Sequence, residues 1–283
     1  MVTRSTAGAA IATPPVVQLP GLNSPPPAAP ADGTLRVATL NLAHGRAAGF
    51  HQFIQGAARI RGNLDRIGAL MQGESPTVLA VQEADAASVW SGNFDHVRHL
   101  AAAAGLTWLS HGSHVSGFRL SYGTALMARA PLSAPVSVTF APSPPTFAKG
   151  FLVATMTPPG WPGGPIDVVS VHLDFARPAV RRRQVDTLIK NLRDRHNHLV
   201  IMGDFNCTWQ PASSPLQRLA MALDLQAWRP EAKGLVTFPT TSRRLDWILV
   251  SRDLRIVNQR ILADVVSDHR AVVADIAPAG GAR

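Results

Sequence analysis

Two short motifs place a carboxylate beside an amide or an imidazole: Gly203-Asp204-Phe205-Asn206 and Ser267-Asp268-His269-Arg270. Each follows an apolar run, His198-Leu199-Val200-Ile201-Met202 before the first and Ala263-Asp264-Val265-Val266 before the second. Four further clusters share that context. They are Asn41 after residues 35–40, Glu83 after Val78-Leu79-Ala80-Val81, His172 with Asp174 after Val168-Val169-Ser170-Val171, and Asp246 within Arg244-Leu245-Asp246-Trp247-Ile248-Leu249-Val250. Carboxylates and carboxamides are hard oxygen ligands for a cation, and an imidazole activates water near neutral pH. This is the set that metal-assisted phosphoester hydrolysis requires. A lone Asp or Asn at a strand end is most often a turn residue. Six such clusters in order along one chain are not explained that way.

Strands must deliver these groups, and the apolar pattern supplies them. Short apolar runs predict strands over 35–40, 77–81, 124–128, 136–140, 151–156, 167–171, 198–202, 245–250, 255–262 and 271–276. Helical spacing joins Ile60, Leu64, Ile67 and Met71, then Val180, Val185, Leu188, Ile189 and Leu192, then Leu216, Leu219 and Leu223. A further helix is expected over 96–104, ended by Gly105. Many strands with few helices between them argue for two stacked sheets flanked by helices. No G-x-G-x-x-G or G-x-x-x-x-G-K-[ST] motif is present, so a nucleotide-cradling loop is not indicated. Residues 1–33 are rich in Pro, Ala and Thr and read as a disordered tail or linker. The folded unit is expected over 34–278, with 279–283 a C-terminal tail.

Together, Asn41, Gln82-Glu83, His172-Leu173-Asp174, Gly203-Asp204-Phe205-Asn206, Leu245-Asp246-Trp247-Ile248 and Ser267-Asp268-His269 resemble the endonuclease/exonuclease/phosphatase superfamily. Its relatives include DNase I, exonuclease III type AP endonucleases, neutral sphingomyelinases, inositol-polyphosphate 5-phosphatases and deadenylases. The resemblance runs from about Leu35 to Ile276 and extends to Tyr122-Gly123-Thr124-Ala125, Arg181-x-x-Gln184 and Thr237-Phe238-Pro239. It implies an α/β (α+β) fold, a DNase I-like four-layer α-β-β-α sandwich with two mixed sheets face to face. It also implies roles. Glu83 and Asn41 resemble the ligands of Mg2+ or Mn2+, and Asp268 resembles a second metal-side carboxylate. His269 resembles the general base, and Asp246 the carboxylate that fixes its tautomer. Asp204 and Asn206 resemble the pair that orients water and contacts phosphate, and His172 the donor to a non-bridging phosphate oxygen. Asp174, Arg181 and Trp209 are further candidates for substrate contact, by support of the site, a phosphate grip and base stacking respectively.

The expected activity is phosphodiester hydrolysis, most simply by an endonuclease on DNA or RNA. A net charge of +9 mildly favours a polyanionic partner, although the arginine bias also fits a GC-rich genome. Abasic-site repair is disfavoured, because Gln82-Glu83-Ala84-Asp85 departs from the Gln-Glu-Thr-Lys usual in that branch. Hydrolysis of a lipid head group or small phosphoester is the alternative; the candidate membrane hairpin is Pro158-Pro159-Gly160-Trp161-Pro162-Gly163. An inactive binding scaffold would have lost at least one of Glu83, His172, Asp204, Asn206 or His269, and all are present. With Cys207 as the single cysteine, no internal disulfide can form. A cytoplasmic monomer with no stable protein partner is expected, with secretion as the alternative. His96, His99, His111 and His114 match no zinc-binding pattern.

Overall fold

The computed structural model describes residues 8–21, 33–46, 56–117 and 119–280. Its strands are β1 Ala10–Ala12, β2 Val16–Gln18, β3 Leu35–Asn41, β4 Val78–Asp85, β5 Trp108–Gly117, β6 Leu120–Ala128 and β7 Leu132–Thr139. They continue as β8 Gly150–Met156, β9 Ile166–His172, β10 His198–Asp204, β11 Leu225–Ala227, β12 Asp246–Ser251, β13 Leu254–Ile261 and β14 Val272–Pro278. The helices are α1 Ala57–Glu74, α2 His96–Ala103, α3 Pro178–Leu192 and α4 Pro215–Ala222. The strands form two seven-stranded sheets, ordered β1-β7-β8-β9-β10-β12-β11 and β13-β14-β3-β4-β6-β5-β2.

Apolar periodicity decides the layers. Along β10, Val200 and Met202 face the other sheet, joining Ala80, Leu126, Val168 and Ile248 in the inter-sheet core. Their neighbours Leu199 and Ile201 face α3 and α4, with Val185, Leu188, Leu216 and Leu219. On the second sheet, Leu40, Leu79 and Val81 meet Ile60, Leu64, Ile67 and Met71 of α1 and Leu100 of α2. Strands covered on both faces must be apolar throughout, which is why they read as continuous runs. Burying each such aliphatic side chain contributes about 1.5–3 kcal/mol. The result is the expected α-β-β-α sandwich.

Two parallel pairs position the site. β3 pairs parallel with β4 across α1, and β9 pairs parallel with β10 across α3. Parallel neighbours need such a crossover, so both members of each pair end at the same edge. Asn41 ends β3, and Glu83 lies near the end of β4; His172 and Asp204 end β9 and β10 as register partners. β12 runs antiparallel to β10 and therefore begins at that edge, with Asp246 opposite Asp204. β14 runs antiparallel to β3, so the segment before it delivers Asp268 and His269 beside Asn41. Gly203 makes the close approach possible: its φ is 148°, and a Cβ there would lie 2.0 Å from the Val171 carbonyl oxygen.

Three features depart from the sequence reading. Residues 1–33 are not wholly a tail. β1 pairs with β7 and β2 with β5, each closing one edge of a sheet, and Leu19 is buried in the core. A composition average hides these strands, because an edge strand of three residues needs only Ile11 or Val16-Val17 and one partner backbone. Residues 1–7 and 22–32 lie outside those described, as do 281–283 of the expected C-terminal tail. β4 extends past residue 81 to Asp85, carrying Glu83 within it. β5 was not foreseen, because Ser110-His111-Gly112-Ser113-His114 interrupts its apolar pattern.

Candidate active site

One pocket of about 320 Å³ at this edge is lined by Asn41, Glu83, His172, Asp204, Asn206, Asp268 and His269. Phe175, Phe238, Thr241, Arg243 and Leu245 complete it. A larger cavity of about 810 Å³ lies between α3 and α4. Its one acid, Asp186, is bonded to Arg218, and none of the candidate residues lines it.

His269 anchors the arrangement. Its Nδ1 lies 2.8 Å from Asp246 Oδ2, and Asp246 is fully buried. Thr237 Oγ1 accepts hydrogen bonds from the backbone N–H groups of Leu245 and Asp246, fixing the start of β12. The His269 ring packs against Phe238 at 4.8 Å between centroids, and its Nε2 faces Asp204 Oδ2 at 3.8 Å. Burial alone would lower the imidazole pKa, but Asp246, Asp204 and Asp268 raise it to about 10. Ligand atoms of Asp204, Asp246 and His269 lie within 4.8 Å of one another and could hold an ion. The short Asp246–His269 contact at a buried carboxylate also fixes the orientation of the ring, which is the geometry a general base requires.

Asp204 is held by amides. Its Oδ2 accepts from Asn41 Nδ2 at 3.1 Å and from Asn206 Nδ2 at 3.0 Å, and its Oδ1 from the Asn206 backbone at 2.9 Å. Asn206 takes a positive φ of 51°, which asparagine tolerates, and also donates to the Leu173 carbonyl. Burial pushes the Asp204 carboxyl upward, against the pull of His269. Asp268, also raised by burial, feels Glu83 and Asp246 as like charges.

Glu83 sits at a register shift in β4 with a positive φ of 48°, a strained backbone for this residue. The irregularity breaks the alternation of the strand and directs the carboxylate into the pocket. Burial opposes its charge, but Lys149, His44 and His269 outweigh burial and hold its pKa low. Asn41 Oδ1 accepts from the Ala43 N–H at 3.0 Å and keeps a second lone pair. Glu83, Asp268 and Asn41 thus offer an oxygen-only donor set that includes two carboxylates. That fits a hard divalent cation and does not fit a thiolate-seeking one.

Some residues took other places. Asp174 is fully buried and does not line the pocket: Oδ1 accepts from the N–H groups of Ala176 and Arg177 in the turn before α3, and Oδ2 accepts from Thr146 at 2.8 Å. Arg181 is buried too, its Nη1 donating to the carbonyls of Asp174 and Phe175. Both are positioned for structure, because buried polar groups this close to the backbone satisfy it first. Trp209 lies in a neighbouring cavity, not in the pocket. Trp161, the aromatic of the candidate membrane hairpin, is buried and donates to the Gly33 carbonyl. Burial raises the Cys207 thiol to about 11, which removes it as a nucleophile. His96, His99, His111 and His114 bond separately, to Ser91, Asp65, Ala84 and the Thr124–Thr139 pair.

Two site residues escaped the sequence reading. Lys149 Nζ lies 3.0 Å from His172 Nε2 and 3.7 Å from Glu83 Oε1, almost fully buried. An ammonium only donates, so a ring nitrogen of His172 accepts from it; burial and Lys149 together hold His172 neutral. The available signal was rarity: Lys149, Lys190 and Lys233 are the only lysines in the chain. Asp85 stands behind Glu83, bonded to His44 Nδ1 at 2.8 Å and Trp90 Nε1 at 3.0 Å, and His44 Nε2 then reaches Glu83 at 3.4 Å.

The profile of the Endonuclease/Exonuclease/phosphatase family matches residues 38–269. The chain belongs to this family. It is accordingly a phosphoester hydrolase, and members of the family generally work with divalent metals. No curated protein matches the sequence. Solved structures share the family fold. An endonuclease/exonuclease/phosphatase from Beutenbergia cavernae DSM 12333 is 22% identical, covers 88% of this chain and 72% of its own, and has a TM-score of 0.67. A mannosyl-6-phosphatase from Bacteroides thetaiotaomicron VPI-5482 is 15% identical, with 86% and 99% covered and a TM-score of 0.66. D. rerio TDP2 complexed with single-strand DNA product is 14% identical, with 87% and 99% covered and a TM-score of 0.62. In this endonuclease/exonuclease/phosphatase family member, among the described residues, no helix is long and apolar enough to cross a membrane.

Proposed function

We propose that the chain is a divalent-cation-dependent phosphodiesterase acting on nucleic acid, with His269 as the general base. The observation that carries this reading is the buried Asp246–His269 contact of 2.8 Å at the wall of a pocket that also holds Glu83, Asn41, Asp204, Asn206 and Asp268. Asp246 keeps the proton on Nδ1, so Nε2 is the nitrogen that faces the pocket and takes a proton from water. Asp204, its orientation fixed by Asn41 and Asn206, accepts the other hydrogen of that water. His172 lines the pocket with Lys149 Nζ 3.0 Å from its Nε2, and the pair would donate N–H groups toward the charge that grows on the phosphate oxygens. One such donor is typically worth roughly 10²–10³ in rate. Glu83, Asn41 and Asp268 would hold Mg2+ or Mn2+, which supplies Lewis-acid polarisation and offsets the carboxylates that otherwise keep His269 protonated. The net charge of +9 supports a polyanionic substrate.

A second reading is a phosphoester with an apolar group attached. It is favoured by Phe147 and Phe175, exposed by 56% and 63%; Phe175 lines the pocket, and Phe147 packs near Trp90 and Tyr122. One experiment separates the two. Purified protein with Mg2+ or Mn2+ is offered plasmid DNA, RNA, sphingomyelin and phosphoinositides, with His269→Ala as control. Nicking of nucleic acid that disappears in the control is the expected result. Turnover of lipid alone would sink the first reading, and no metal-dependent turnover of any phosphoester would sink both.

A further inference from the structure

We infer that the cavity beside the catalytic pocket binds the nucleotide flanking the scissile phosphodiester of a single-stranded chain, its phosphate on Arg243 and Lys233 and its base against Trp209. The inference rests on the phosphodiesterase reading and names what that substrate must carry. The cavity measures about 300 Å³, at the lower end of ligand pockets. Arg243 lines both this cavity and the candidate catalytic pocket, so the two adjoin at one side chain. That side chain is exposed, and among the described residues its guanidinium has no hydrogen-bond partner. A cation at such a junction would meet a phosphate lying between the two sites.

The charge of the cavity points the same way. Lys233, Arg243 and Arg244 face a single acid, Glu231. Arg244 is only 7% exposed and stacks over the Trp247 ring at 3.8 Å. Its Nη1 is satisfied by two backbone carbonyls, while Nε and Nη2 have no partner. A buried cation left this incompletely compensated favours an anion in the adjoining space. Trp209 supplies the apolar wall. It is partly buried, 5.9 Å from Trp247 between ring centroids, in the cavity lining. Cations that track a backbone beside an indole that accepts any base are how single strands are held without sequence readout. A lone phosphoester would fill the catalytic pocket and leave this second space unused.

The test compares bis(p-nitrophenyl) phosphate, which carries no flanking nucleotide, with single-stranded oligonucleotides of increasing length, on the full chain with Mg2+ or Mn2+. Wild type is expected to gain kcat/KM when the flanking nucleotide is added. Lys233→Ala should raise KM for the oligonucleotide about three- to tenfold and reduce the slope of log(kcat/KM) against log[salt] by about 0.7, with bis(p-nitrophenyl) phosphate unaffected. Trp209→Leu should raise oligonucleotide KM roughly 5- to 100-fold, and Trp209→Phe should restore most of it. Lys233 lies on an exposed loop, so its variant reads the site even where Trp209→Leu disturbs packing. Hydrolysis of bis(p-nitrophenyl) phosphate with no gain from a flanking nucleotide, or an unchanged salt slope in Lys233→Ala, overturns the subsite alone. Hydrolysis of neither substrate overturns the phosphodiesterase reading and the subsite with it.

Discussion

Asp246→Asn tests the proposed base most directly, because it removes one charge and almost no volume. The carboxylate is fully buried, with its Oδ2 2.8 Å from His269 Nδ1. Two unit charges about 4 Å apart interact by about 4 kcal/mol at an effective dielectric near 20, or about 3 pKa units. In the metal-free protein His269 therefore drops from about 10 toward about 7 once that charge is gone. The asparagine amide can also donate to Nδ1 and drive the proton to Nε2, where it blocks acceptance from water. The expected loss in kcat is roughly 10³–10⁴, the scale seen when a base is held in the wrong tautomer. Steady-state hydrolysis at saturating cation measures that loss, and a nitrogen-15 imidazole titration of the metal-free protein measures the pKa. Stability has a defined sign. A histidine pKa raised by folding stabilises fully below its unfolded value near 6.5, and the gain is lost as pH rises through about 10. The melting gap between wild type and variant should thus be open at pH 8 and narrow towards pH 10 and above. Turnover within a few-fold of wild type on an intact fold, or an unshifted titration, would remove Asp246 from the mechanism.

Lys149→Met should lower kcat by roughly 10²–10³ and tighten divalent-cation binding, because the ammonium 3.7 Å from Glu83 competes with the ion. Lys149→Arg should recover part of both effects; a calorimetric titration with Mn2+ that shows unchanged affinity in the methionine variant would count against this role. Glu83→Gln should weaken cation binding by more than roughly 100-fold, beyond the effect of losing a supporting residue, as read from free Mn2+ by electron paramagnetic resonance. Gly203→Ala should destabilise by about 3 kcal/mol in a denaturant titration, since its Cβ would overlap the Val171 carbonyl. A stable Gly203→Ala protein would show that β9 and β10 can separate at the site edge.

The sandwich was legible because its two periods are unmixed. Ile60, Leu64, Ile67 and Met71 lie on one face of α1, and the runs before Asn41, Glu83, His172 and Asp204 are strands covered on both sides. The pocket residues were legible for the same reason, since each terminates or interrupts such a run. Less legible were groups whose partners are remote in sequence. Asp174 and Arg181 carry the same charges whether they face water or backbone, and only the fold shows them turned towards Thr146, Ala176 and the carbonyls of residues 174 and 175. Lys149 was hidden at the end of a Pro-rich stretch, where nothing in the local pattern indicates that His172 and Glu83 arrive beside it. β1 and β2 were hidden because edge pairing depends on a neighbour's free backbone more than on their own composition.

The residues proposed for the reaction and those proposed for substrate contact sit on different parts of the fold. The side chains of His172, Asp204 and Asp246 are held in adjacent register on β9, β10 and β12. A one-residue slip would turn each side chain to the other face of its sheet, so this set is tied to core packing itself. The residues proposed to meet the rest of the substrate are held differently. Phe147 and Lys149 lie on the segment between β7 and β8, anchored through Thr146 to Asp174. Lys233 and Arg243 lie between β11 and β12, anchored near Thr237. Neither segment contributes a strand to the core. Replacing residues 230–236 should therefore change which phosphodiesters are accepted while the Asp246–His269 pair stays in place. A loop exchange that abolished turnover on bis(p-nitrophenyl) phosphate would show instead that substrate segment and base are mechanically coupled.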